Sequence, residues 1–176
     1  MFIVAAFTGL RMGELRALRW RDVDFAAHLV RVRASYADGV TTTPKSGKVR
    51  SVPLVDAAAE RLARLDRLRG SRDEQALVFS ERDSAHLSDG RLRWRYGQAL
   101  ERAGVRPLRF HDLRDTFGSL AISRADIVEL QAWMGHADVK TTMRYLHYRD
   151  RADAAARLNA AFTAGSGVDS ADPAAL

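Results

Sequence analysis

The chain has 176 residues, enough for one compact core and too few for two ordinary domains. It has no cysteine, which excludes disulfides and Cys-ligated zinc. Its 28 Lys+Arg outnumber 22 Asp+Glu for a net charge of +6, and only Lys45, Lys48 and Lys140 are not arginine, a balance that favours a polyanionic partner because guanidinium matches phosphate with forked donors.

The opening Met1 to Phe7 is apolar and stops at Thr8-Gly9, too short for a signal peptide or a membrane span. It reads as the end of a buried helix in a soluble, cytoplasmic protein. Met12 to Leu18 predicts a short second helix with Leu15 and Leu18 inward, and Trp20, Val23 and Phe25 follow as an apolar exit. Alternation at Leu29 to Arg33 predicts a strand. Asp38-Gly39 predicts a hairpin turn, Val40 to Thr43 a second strand, and Pro44 to Gly47 another turn, with Lys45 at its tip. Lys48 to Leu54 completes a small three-stranded antiparallel sheet.

The remainder reads as helical. Asp56 to Leu68 starts with an Asp cap and places Leu62, Leu65 and Leu68 on one face. Arg91 to Ala103 stops at Gly104, and His111 to Ile122, Ile127 to Met134 and Val139 to Tyr148 are three shorter helices. Asp150 to Phe162 is Ala-rich and amphipathic, while Thr163 to Leu176 has nothing to bury and predicts a disordered tail. The fold class expected is α+β, mainly helical, with one domain over residues 1–162.

Several residues along this path carry chemistry together that none carries alone. Arg11 follows Thr8-Gly9-Leu10 at a loop-to-helix junction, where free N–H groups favour an anion. Glu14, three residues on, shares its helical face and can hold the guanidinium. His111 and Arg114 are also three apart and project from one face, with Asp112 and Asp115 pointing elsewhere. His136 follows a glycine break, and Tyr145 lies on an Arg-flanked segment beyond it. These residue types suit attack on a phosphodiester by a side-chain oxygen without a metal.

The order Arg, Lys, His-x-x-Arg, Gly-His, Tyr closely resembles the catalytic domain of the tyrosine recombinases, the phage integrase family. The matching stretches are Thr8 to Leu15, Pro44 to Lys48 with Val52-Pro53-Leu54, His111 to Phe117, and Leu130 to Tyr145 through Met134-Gly135-His136. The resemblance implies site-specific recombination of double-stranded DNA, integration included, by protomers assembled on it. It implies a cytoplasmic, nucleoid-associated protein of bacterial or phage origin, with no membrane and no cofactor. Tyr145 would attack a phosphate, expel the 5′-hydroxyl and form a 3′-phosphotyrosyl link, an exchange of one phosphodiester for another that requires neither ATP nor metal.

In that scheme His111 exchanges a proton with the nucleophile, a need set by a phenol only about 0.1% ionised at neutral pH. Arg11 and Arg114 clamp the non-bridging oxygens, Lys45 protonates the leaving oxygen, His136 donates to the phosphate, and Glu14 supports Arg11. Lys48 is the rival for Lys45, and Tyr148 for Tyr145. The chain begins ten residues before Arg11, so the first part of the catalytic domain and the family's N-terminal DNA-binding domain are expected to be missing. Ser123 to Asp126 lacks the glycine usual between these helices, a compression expected to strain the placement of His136. Asp115, where many members have histidine, is expected to matter little. Two alternatives stand beside this reading: a DNA-binding remnant without activity, and a metal-dependent phosphohydrolase using His111-Asp112 with His136 or His147.

Overall fold

The computed structural model describes residues 1–44, 47–70, 73–81 and 85–148. The expected α+β, mainly helical architecture is observed. Helix α1 (Phe2–Thr8) buries Val4, Ala5 and Thr8 and ends at Gly9. Arg11 then caps α2 (Met12–Ala17), where Glu14 and Leu15 are buried. A 3₁₀ turn at Trp20–Asp22 leads into the strands.

Five short strands follow: β1 (Val23–Asp24), β2 (Leu29–Val32), β3 (Ser35–Ala37), β4 (Val40–Thr42) and β5 (Arg50–Pro53). They divide differently from the expected arrangement. The three-stranded antiparallel sheet is β1-β2-β5, and β3-β4 forms a separate two-stranded ribbon. Buried aliphatics decide this: Val30 faces Val52 across β2-β5 and Val23 across β1-β2, and all three lie in the core. Strand β4 is exposed throughout, so nothing draws it into the sheet. It pairs locally instead, through Asp38 (φ 50°) and Gly39 (φ 82°), the two left-handed positions that a tight hairpin turn requires.

Helices α3 (Asp56–Arg69), α4 (Asp89–Arg102), α5 (Asp112–Ala121), α6 (Ile127–Met134) and α7 (Val139–Met143) complete the described chain, with a 3₁₀ turn at Leu146–Tyr148. Val55, not Asp56, occupies the cap position of α3, and Leu68 is 75% exposed rather than sharing the buried face of Leu62. Helix α4 starts two residues earlier than expected because Ser88 caps it, accepting from the Arg91 N–H at 3.3 Å. The helix expected to run to Tyr148 stops at Met143, and the chain turns so that Tyr145 points inward. Helix α1 packs on both α3 and α5, and Phe2, Tyr96 and Phe110 close one end of the core as an aromatic trio with ring centroids 5.1–6.1 Å apart.

The connection from α5 to α6 needs no glycine. Its residues all keep negative φ, Asp126 caps α6 by accepting from Val128 and Glu129, and Glu129 reaches back to the Asp126 N–H. The strain expected there is absent from the backbone. Among the described residues no helix is long and apolar enough to cross a membrane. Lys45, the segment Asp150 to Phe162 and the tail Thr163 to Leu176 lie outside the described residues.

Candidate active site

The site is organised by the C-terminal end of α6. A helix leaves its last carbonyls without intrahelical partners. Here Gly135 (φ 61°) turns the chain left-handed, so that its N–H bonds to Ala132 O and the His136 N–H to Gln131 O. The next three carbonyls each take a different guanidinium. Arg50 Nε donates to Trp133 O at 2.8 Å, Arg114 Nη2 donates to Met134 O, and Arg11 Nη2 donates to Gly135 O at 3.1 Å. Arg114 also donates through Nη1 to Gly9 O, tying α5 to the loop that carries Arg11. The negative end of the helix dipole thus holds three cations beside His136.

One buried carboxylate offsets them. Glu14 is 2% exposed and accepts from Arg11 Nη1 at 3.1 Å, from the Arg11 N–H at 2.8 Å, and from both Arg50 Nη atoms at 2.8 and 2.9 Å. Burial pushes the Glu14 carboxyl up, but the hydrogen bonds and charges of Arg50 and Arg11 outweigh it and hold the group below its ordinary value. Three guanidiniums against one carboxylate leave the site strongly positive. Arg114 shows the cost: burial, then the like charges of Arg11 and Arg50, lower its pKa to about 10, so it still stays charged at pH 7.

A pocket of about 260 Å³ opens beside this cluster and is lined by Arg11, His111 and Arg114, with Arg93 and Arg109 at its rim. Desolvation lowers the His111 pKa; Asp115 opposes that, and Arg114, Arg11 and Arg109 add to it. His136 is lowered to about 4 by burial and then by Arg114 and Arg11, so its ring is neutral at pH 7. Its Nδ1 bonds to Thr142 Oγ1 at 2.9 Å, which leaves Nε2 to meet an anion. Thr142 is fully buried and fixes this orientation from α7.

Tyr145 is 3% exposed, and its hydroxyl donates to Asp115 Oδ1 at 2.7 Å. Arg144 donates to the same oxygen at 3.1 Å and lies over the Tyr145 ring at 5.2 Å. Asp115 therefore does not point elsewhere: it holds the hydroxyl of the expected nucleophile, for which His111 is the expected proton-exchange partner. Burial first, and the bond to Asp115 second, push the Tyr145 pKa well above its ordinary 10. Tyr148, the rival, is 56% exposed and packs on His147.

The Tyr145 ring lies flat against Gly118 of α5. A Cβ there would come within 2.6–2.8 Å of Cζ and both Cε atoms, so glycine is required in mid-helix despite its poor propensity. We expect Gly118→Ala to displace the ring and cost about 1–3 kcal/mol, beyond the gain in helix propensity. Thermal unfolding with tyrosine difference absorbance checks this; an unshifted midpoint with Tyr145 still buried would contradict the packing.

The structure thus brings together Arg11, Glu14, His111, Arg114 and His136, and sets Tyr145 against the same helix. Arg50, Asp115, Gly118 and Thr142 were missed from sequence. Arg50 had a signal, since it alternates with the buried Val52 and Leu54 and so had to be buried with a counter-charge. Gly118 had one too, as a glycine inside an otherwise good helix.

Arg11, Arg114 and His111 line one cationic pocket, with His136 beside the arginines and Tyr145 packed on the helix that carries Arg114. The chain belongs to the phage integrase family, whose pattern matches residues 1–152. It is 34% identical over 142 residues to the tyrosine recombinase XerC of Xanthomonas campestris pv. campestris, an alignment covering 80% of this chain and 41% of that protein. The chain thus spans less than half the length of the curated relatives it matches most strongly. Its fold is similar to that of the XerA recombinase (TM-score 0.68, 26% identity, 95% of this chain and 56% of the other). It is also similar to that of the Tn1549 transposon integrase, solved in complex with transposon right end DNA (TM-score 0.70, 21% identity, 93% of this chain and 57% of the other).

Proposed function

We propose that this domain cuts and rejoins double-stranded DNA at specific sites through a 3′-phosphotyrosyl link to Tyr145, acting with other recombinase protomers in the bacterial cytoplasm, on the nucleoid. The observation that carries the reading is the row of guanidiniums on the Trp133, Met134 and Gly135 carbonyls, which sets Arg11 and Arg114 next to His136. The XerC relatives are named as tyrosine recombinases, and the Tn1549 integrase holds transposon DNA on the same fold.

In this reading Arg11 and Arg114 grip the non-bridging oxygens, and their value lies in the charge that builds up there as the phosphorus becomes five-coordinate. Arg50 and Glu14 keep the Arg11 guanidinium from swinging away. His136 donates to the phosphate through Nε2 once Thr142 has fixed Nδ1 as the inner nitrogen. His111, its pKa lowered below the ordinary 6.5 by burial, lines the pocket as a hydrogen-bonding group for the phosphate. Lys45 is the general acid for the leaving 5′-oxygen. A phosphodiester replaces a phosphodiester, so the exchange needs no external energy source. Domain limits of 1–162, with the remainder as a tail, belong to the same proposal.

The test is a pool of nicked duplexes randomised through the central site, in which a cut strand loses its short end and cannot be rejoined. SDS-resistant protein–DNA complexes should form, and Tyr145→Phe should abolish them. A complex that survives that change overturns the assignment of the nucleophile. The bond from Tyr145 to Asp115 favours a second reading, a DNA-binding chain without chemistry, and salt-dependent binding with no covalent product would support it. A metal-dependent phosphohydrolase would need three converging donors, and among the described residues no three His, Asp or Glu side chains come together.

A further inference from the structure

We propose that Asp115 is the base that takes the proton of Tyr145 as the phenol attacks phosphorus, an inference that rests on the strand-transfer reading above. Asp115 Oδ1 is the atom that already receives the hydroxyl hydrogen, at 2.7 Å. Geometry comes first in assigning a base, and an acceptor within direct hydrogen-bond reach of the proton satisfies it. The carboxylate side chain is 24% exposed while the tyrosine is buried, so Asp115 links a buried phenol to solvent. Arg144 donates to the same oxygen at 3.1 Å and fixes the carboxylate against the phenol.

The step balances within the groups named. The Tyr145 Oη–H bond breaks as the Asp115 Oδ1–H bond forms, and the freed Oη pair makes the new bond to phosphorus. The bond from phosphorus to the 5′-oxygen breaks, and that oxygen takes a proton from the general acid assigned to Lys45. Rejoining reverses each transfer, with Asp115 returning its proton to the departing phenol oxygen. The resting bond stabilises the neutral phenol, so the proton leaves in concert with attack, when Oη is becoming an ester oxygen and its hydrogen acidifies. An aspartate that accepts a hydroxyl proton during phosphoryl transfer is established chemistry in kinases.

The experiment measures single-turnover covalent complex formation on the randomised nicked pool. It also measures nitrophenolate release from a duplex ending in a 3′-(4-nitrophenyl) phosphate, whose leaving group needs no acid. Asp115→Asn should slow both by about 10²-fold or more, and Asp115→Glu should recover part of the loss. DNA affinity by fluorescence anisotropy should not fall. Asp115 faces Tyr145 and Arg144 from beyond α7, His111 on its own helix and Arg109 in the loop before it. His111 titrates below its ordinary 6.5, so above pH 7 the wild-type rate should be flat, whereas the rate of Asp115→Asn should climb with hydroxide.

Tyr145→Phe removes the same hydrogen bond and supplies the stability baseline for Asp115→Asn. An Asp115→Asn chain that is folded and cleaves as fast as wild type, or faster, overturns the inference and makes Asp115 a latch, while leaving the reading of Tyr145 intact. Absence of any Tyr145-dependent product from the wild-type chain overturns both.

Discussion

Glu14→Gln is expected to destabilise the domain by about 3–5 kcal/mol, the cost of leaving a buried charge without its partner. The arginines it serves stay where they are: the Arg50 side chain is 8% exposed and Arg11 is held on Gly135 O. A neutral amide of the same shape can still accept one hydrogen bond, but it also turns N–H donors toward donors. For a domain of this size the loss corresponds to a drop of about 6–20 °C in Tm. The pH dependence has a definite sign. The Glu14 pKa is lowered on folding, so its contribution is present above the ordinary value of 4.5 and is lost as pH falls through the lower folded value. His136 acts in the same direction: its pKa falls from 6.5 to about 4, so the unfolded chain binds the extra proton between those values and stability declines on acidification. Thermal melts from pH 7 to 3 should show a fall shared by both proteins from His136, and below 4.5 a further fall in wild type that Glu14→Gln lacks. A variant within about 2 °C of wild type at pH 7 would mean the cluster contributes little.

Arg114→Lys is expected to lose activity while keeping its DNA affinity. Arg114 is 3% exposed and spends two nitrogens on Gly9 O and Met134 O while its edge faces the pocket. An ammonium group cannot span both carbonyls and a phosphate, because it lacks the planar fork. It would also sit in a place that lowers even a guanidinium to about 10, and lysine starts about two units lower, so part of its charge would be lost near neutrality. Covalent complex formation should fall on the order of 10²–10³-fold, as when an oxyanion donor is removed. Affinity for duplex should change little, since it is spread over many phosphate contacts. Gel analysis of covalent product beside anisotropy titration separates the two, and activity within threefold of wild type would remove Arg114 from the phosphate.

Local rules made much of this legible beforehand. The Asp38-Gly39 hairpin, the bounds of α6 and the Arg11–Glu14 contact depend on residues a few positions apart, where sequence spacing is spatial spacing. The strand order failed where spacing stopped helping. β2 pairs with β5 across twenty residues because both offer a buried valine, and the intervening ribbon, with no apolar face, is left outside.

By itself, then, the sequence named candidates in a family order, Arg11 with Glu14, Lys45, His111, Arg114, His136 and Tyr145, and placed most of them at helix ends. Only the tertiary structure decided what each of them touches. Arg11 meets Gly135 across 124 residues, Arg50 meets Glu14 across 36, and Tyr145 meets Asp115 across 30. No periodicity encodes such pairs. They follow from burial, which forces each guanidinium, carboxylate and hydroxyl taken from water to find a partner wherever the packed core brings one within reach.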